Sequence, residues 1–208
     1  MRLVLVRHGE TAGQSSIRYY GATDVPLSAV GRAQMERAAA AVDHLPIDTV
    51  YASALMRSRE GARIVARREP IVLGGFNEID FGDWEGLTES EIRARDPRLH
   101  AQWRAGPADF HYPGGESTAT FRTRVAATLW TVVERAQQDG DQCLLMVLHK
   151  GVIRTILAAL LDLDSSARSQ LAVDLGSIHI VASTASTWCA TRLDDVAHLE
   201  ALGRTEGR

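Results

Sequence analysis

The chain begins Met1-Arg2-Leu3-Val4-Leu5-Val6-Arg7-His8-Gly9-Glu10, and the fold class follows from residues 3–6. An unbroken apolar run of this length, cut off by a charge and then a glycine, is too short for a helix and lacks the alternation of a half-exposed strand. It fits a strand buried on both faces of a parallel sheet. Residues 49–52, 71–73 and 143–148 read the same way. The segments that follow these runs carry helical apolar spacing and capping residues: Ser28 before 29–45, Ser53 before 54–68, the Thr88/Glu91 capping box, and Glu116 or Ser117 opening a helix to about residue 138. A helix from Lys150 through Leu161 has its apolar stripe interrupted by Arg154. Alternating strands and helices predict an α/β protein: a three-layer αβα sandwich with a mostly parallel central sheet and helices on both faces. Residues 178–182 and 187–191 read as a hairpin that adds an antiparallel edge strand.

Length and composition bound the rest. A chain of 208 residues suits a single domain with elaborated loops. Hydrophobic residues at 45% and charged residues at 24% exclude disordered, fibrous and membrane classes. A net charge of −3 argues against nucleic acid or a membrane surface as partner. Cys143 and Cys189 lack metal-ligand spacing and are expected to be free buried thiols of a reducing compartment, so a cytoplasmic location is predicted. No apolar stretch approaches the roughly 20 residues needed to cross a bilayer. The tail beyond Asp195 is expected to fray, and edge strands leave a homodimer open.

Two loop-rich stretches, 9–27 and 74–116, lie where α/β sheets bind ligands, at the carboxyl ends of strands. Two of the buried runs end in a histidine with a glycine close behind, at 6–10 and 148–151. In neighbouring parallel strands, about 4.8 Å apart, His8 and His149 would stand side by side. Alternation sends Arg7 and His8 to opposite faces, so they converge only if the chain leaves the strand there, a turn that Gly9 makes cheap. Two rings and a guanidinium form a cationic, donor-rich pocket suited to phosphate. Arg57, at the start of the next helix, brings a second guanidinium to the same rim. Glu78, on the second loop, can supply a proton, because a nearby phosphate favours its neutral form by like-charge repulsion.

Other residues read more plainly. His44, His100, His111, His179 and His198 carry no motif and are packing or surface residues. Glu78, Asp80, Asp83 and Glu85 could hold Mg²⁺ or Ca²⁺, yet they lack the order of a known binding loop, so the last three are assigned to caps and turns and no metal is expected. Phe81 and Trp84 are expected to anchor their loop on the core, and Arg63, Arg67 and Arg68 to form a solvated helix face. Gly115-Glu116-Ser117-Thr118-Ala119 is one residue short of a hydrolase nucleophile elbow. It follows a turn and not a buried strand, which makes Ser117 a helix cap.

Taken in series, Arg7-His8-Gly9-Glu10-Thr11, Tyr20 through Ser28 with Gly31 and Gln34, Ser53 through Arg57, Glu78 through Gly86, Tyr112 through Ser117, and His149 through Arg154 resemble the histidine phosphatase superfamily, also called phosphoglycerate-mutase-like. The likeness is to its small bacterial phosphatases. It implies that His8 attacks phosphorus to give a phosphohistidine, that Arg7, Arg57 and His149 clamp the phosphoryl oxygens, and that Glu78 protonates the leaving oxygen and then activates water. It implies no cofactor and a small phosphorylated metabolite as substrate. Gln14, Tyr20, Gly21 and Lys150 are the candidate substrate contacts, although the family commonly has Asn where Gln14 stands and Gly where Lys150 stands. Lys150 either meets a distal anion of the substrate or points to solvent. Residues 87–116 are expected to cap the site. Mutases of the family carry an inserted segment in this stretch, which is short here, so a metal-independent phosphomonoesterase is expected. The alternatives are mutase-type phosphoryl transfer and a phosphate-ligand-binding protein without turnover.

Overall fold

Strand β1 (Arg2–Arg7) lies between β4 (Cys143–Leu148), which runs parallel to it, and β5 (Ile178–Thr184), which runs antiparallel. This arrangement is seen in a computed structural model that describes residues 1–107, 109–184 and 187–202, with residues 201 and 202 described in their backbone alone. Strand β2 (Thr49–Ala52) pairs in parallel with β4 and with the short β3 (Ile71–Val72), and β6 (Thr187–Asp195) closes the other edge against β5. The order is β3-β2-β4-β1-β5-β6, a mostly parallel sheet with an antiparallel hairpin at one edge.

Leu3, Leu5, Leu144, Met146 and Leu148 pack on one face, and Val4, Val6, Leu145 and Val147 on the other, all fully buried. With roughly 1.5–3 kcal/mol gained per buried side chain of this size, both faces demand apolar residues, and the strands lose polar alternation for that reason. Helices α1 (Ala29–Val42) and α2 (Met56–Ala66) cover the valine face. The other is covered by α5 (Thr118–Asp139) and α6 (Lys150–Leu161). Capping follows the sequence at Ser28, which accepts from the Gly31 amide, and at Ser117, which accepts from Thr120. It also holds for the reciprocal Thr88/Glu91 box of α3 (Glu89–Arg95).

Five expectations are corrected. Strand β3 is a two-residue edge strand whose Ile71 and Val72 are exposed, not buried on both faces. Helix α2 starts at Met56 with Leu55 as its N-cap, because the Ser53 hydroxyl is engaged elsewhere. Beyond Asp195, Val196 and Leu199 are buried, and a 3-10 helix (Ala197–Leu202) packs on α1, so residues 196–202 do not fray; residues 203–208 lie outside the described residues. Cys143 is buried, but Cys189 is exposed on the outermost strand. Gly9 is absent from the positive-φ residues; a Cβ there would lie 2.4 Å from the Gly31 carbonyl oxygen, so its role is close approach of β1 to α1 and not a special turn. Two helices were not anticipated: α4 (Pro97–Arg104), capped by Asp96, and α7 (Ser165–Gln170), capped by Asp164. Among the described residues no helix is long and apolar enough to cross a membrane.

Candidate active site

The register of β1 on β4 sets Arg7 opposite Leu148, so the next residue of each strand, His8 and His149, emerges beside the other at the carboxyl edge. Their ring centroids are 5.1 Å apart, with 62° between the planes. His8 Nδ1 lies 2.8 Å from the Gly9 carbonyl oxygen. A carbonyl only accepts, so Nδ1 carries the proton and Nε2 keeps its lone pair. Burial, then the charges of Arg57 and Arg7, holds the His8 pKa well below 6.5, and the ring is neutral.

His149 is fully buried, and its Nε2 sits 2.7 Å from Ser53 Oγ. That hydroxyl accepts from the Leu55 amide at 3.2 Å, and Nε2 is the one acceptor its proton meets among the described residues, so the proton goes to Nε2. The proton of His149 is therefore on Nδ1, which is buried with no hydrogen-bond partner. Burial first, then Arg57 and His8, depresses its pKa far below the ordinary value.

The two arginines are held differently. Arg7 donates from Nη1 to the Val173 carbonyl at 2.7 Å, leaves Nε without a partner, and is lowered by burial to about 10, so it stays charged at neutral pH. Arg57, fully buried in the first turn of α2, spends its Nη groups on the carbonyls of Tyr20, Gly21 and Thr23, at 3.1, 2.7 and 2.9 Å. Its Nε is likewise unpartnered. Residues 20–23 are gripped from the other side by Glu85, whose carboxylate accepts from the amides of Gly21, Ala22, Thr23 and Phe81 at 2.9–3.2 Å.

Glu78 is buried and accepts from the Ile79 amide at 3.0 Å and the Gly151 amide at 2.9 Å. A Cβ on residue 151 would come within 2.5 Å of its Oε1, so glycine is what lets the carboxylate reach the head of α6. Arg124 fixes the backbone in front of it by donating to the carbonyls of Gly75 and Asn77, and is itself paired with Glu116 at 2.7 Å.

A cavity of about 840 Å³ opens over this edge, with Arg7, His8, Glu78, Tyr20 and Lys150 among its lining residues. His149 and Arg57 lie behind that lining. Gln14 is exposed, with its backbone in the left-handed region at φ 65, and Ser15 lines the cavity in its place. Gly21 also lies outside the lining; a Cβ there would meet the Ile79 carbonyl at 1.7 Å, so it serves loop packing. Lys150 is half-buried in the wall, its pKa lowered by burial and by Arg7 and Arg154 to about 8. Asp80 caps the Gly82 amide and Asp83 lies beside Arg95. Among the described residues no three His, Cys, Asp or Glu side chains are grouped to hold a metal ion. Sequence reasoning took Ser53 for a cap and Glu85 for a turn residue; the first orients His149 and the second fastens the loop that Arg57 holds.

The model of the histidine phosphatase superfamily (branch 1) matches residues 3–196. The chain belongs to the histidine phosphatase superfamily. Relatives of this superfamily member are named phosphatases. It is 32% identical over 180 residues to the adenosylcobalamin/alpha-ribazole phosphatase of Salmonella typhimurium, covering 85% of this chain and 87% of that one. It is 30% identical over 184 residues to phosphoserine phosphatase 1 of Hydrogenobacter thermophilus, covering 87% and 86%. Among solved structures, a mycobacterial glucosyl-3-phosphoglycerate phosphatase in complex with VO3 superposes with a TM-score of 0.80 at 27% identity, over 93% of this chain and 98% of that one.

Proposed function

We propose that the protein is a metal-independent phosphomonoesterase that passes a phosphoryl group through Nε2 of His8. The observation that carries this reading is the 2.8 Å contact from His8 Nδ1 to the Gly9 carbonyl, which commits the other nitrogen to act as nucleophile beside two guanidinium groups. The Nε2 lone pair forms the N–P bond as the ester P–O bond breaks, and Glu78 gives its proton to the departing oxygen. Water then attacks phosphorus, Glu78 takes back a proton, and the N–P bond breaks to release phosphate and restore neutral His8. The unpartnered donors, Arg7 Nε, Arg57 Nε and His149 Nδ1, are assigned to the equatorial oxygens, where fixed positive charge does most of the work of phosphoryl transfer. Residues 87–116 are read as the cap that selects the alcohol, and the phosphatase names of the relatives support hydrolysis over return of the phosphoryl group.

The test is turnover of p-nitrophenyl phosphate in excess EDTA. Wild-type protein should hydrolyse it, and His8→Ala should lose essentially all activity. Activity that survives the substitution, or that EDTA abolishes, defeats the assignment.

A further inference from the structure

The cavity wall is charged unevenly. Where α3 and α4 contribute, two cations meet carboxylates, Arg18 with Glu91 at 3.0 Å and Arg104 with Glu89 at 3.7 Å, while Arg93 forms no ion pair among the described residues. Where α5, α6 and α7 contribute, the lining holds Arg122, Lys150, Arg154 and Arg168, and among the described residues the only carboxylates lining the cavity are Glu78 and Glu89. Among the described residues neither Arg154 nor Arg168 forms an ion pair. Arg154 is aimed by its own bond, Nε to the Leu171 carbonyl at 2.8 Å.

These groups crowd one another. After burial, Arg122 lowers the pKa of Arg168, and Arg7 and Arg154 lower that of Lys150; Arg154, which Glu78 pulls upward, is pushed down by Arg168. Asp174 and Asp194 offset part of this repulsion at Lys150 and Arg154, whereas no carboxylate of the described residues does so at Arg168, and half-buried like charges facing a cavity weaken a fold unless an anion joins them. The reacting phosphate already has donors assigned to it in Arg7, Arg57 and His149, and Arg154 stands one turn further along α6 than Lys150. Arg168 comes from the next helix.

We propose that Arg154 and Arg168, with Lys150 and Arg122, form a subsite for a second anionic group, so that the substrate is a phosphomonoester carrying a carboxylate or a further phosphate away from the scissile bond. The inference rests on the phosphatase reading above and narrows its substrate class. Guanidinium forks favour either anion over a neutral hydroxyl.

The experiment compares hexyl phosphate with the same chain ending in a carboxylate or in a second phosphate, and p-nitrophenyl phosphate runs beside them. Wild-type kcat/KM should be about tenfold or more higher for at least one of the doubly anionic esters than for hexyl phosphate. The arm that gains identifies the anion. Arg168→Gln should erase most of that ratio through KM, and Arg168→Lys should keep much of it. Equal kcat/KM across the three alkyl esters, or a ratio untouched in both Arg154→Gln and Arg168→Gln proteins that melt like wild type, overturns the subsite and leaves the phosphatase reading standing. Failure to hydrolyse p-nitrophenyl phosphate removes both.

Discussion

Gly151 shows how one missing side chain sets the chemistry. Glu78 reaches the head of α6 only because nothing projects from residue 151; a methyl there would stand 2.5 Å from Oε1 and 3.2 Å from the Phe121 ring. Within a helix, Gly→Ala ordinarily stabilises by about 0.5–1 kcal/mol, so stability and activity should move separately. Gly151→Ala is expected to leave the melting temperature close to wild type while displacing the carboxylate that serves the leaving oxygen. Removing a general acid costs about a hundredfold or more on a poor leaving group and much less on p-nitrophenolate. Steady-state kcat on an alkyl phosphate against p-nitrophenyl phosphate reads the difference; equal losses on both would assign Glu78 a role other than proton transfer.

At the scale of elements, residues 20–23 are a strap between two charges: Arg57 holds three of their carbonyls and Glu85 three of their amides. Glu85→Gln keeps the shape but halves the accepting capacity. It should lower stability by about 1–3 kcal/mol in urea unfolding, and it should lower kcat at least as much as it raises KM, because the strap holds Arg57, whose charge acts on the transferring phosphoryl group. A rise in KM with kcat unchanged would show that the strap does not position Arg57 for the transfer. The strap also marks the limit of what the sequence discloses. Strands β1 and β4 are legible because burial on both faces leaves an apolar run, and the histidines at their ends follow from it. Helices α4 and α7 are short, at eight and six residues, and their stability comes from tertiary packing that no local pattern records. A serine after a strand looks the same whether it caps a helix or, as Ser53 does, bonds a histidine 96 positions away. Gln14 sits one residue from a cavity-lining serine, yet its left-handed backbone turns it to solvent. Arg122 and Arg168 come to one cavity wall only through the packing of α5, α6 and α7.

For the whole molecule, three buried imidazoles decide behaviour in acid. His8 and His149 are held far below 6.5, and His179 is brought down by burial to about 4. His179 is locked neutral: its Nδ1 accepts from the Asp194 amide at 3.1 Å, which leaves Nε2–H for Ser177 Oγ. A depressed folded pKa means that the unfolded chain takes up protons first. The stability these groups confer is complete above pH 6.5 and is lost as pH falls toward their folded values. His179 alone accounts for on the order of 3 kcal/mol between its ordinary pKa and about 4. The loss has a local address, because Asp194 also accepts from the Asp174 amide, and the carbonyls of Val173 and Ser177 bond Arg7. Urea unfolding at about pH 7 and about pH 4.5 should show a steep decline in wild-type protein. His179→Gln, which keeps a donor and an acceptor without titrating, should flatten it by about one proton. Catalysis should persist below pH 6.5 for as long as the fold survives, since His8 remains neutral there. An activity profile that falls with an apparent pKa near 6.5 while the protein is still folded would show that the nucleophile titrates as an ordinary histidine, and would contradict the environment described for it.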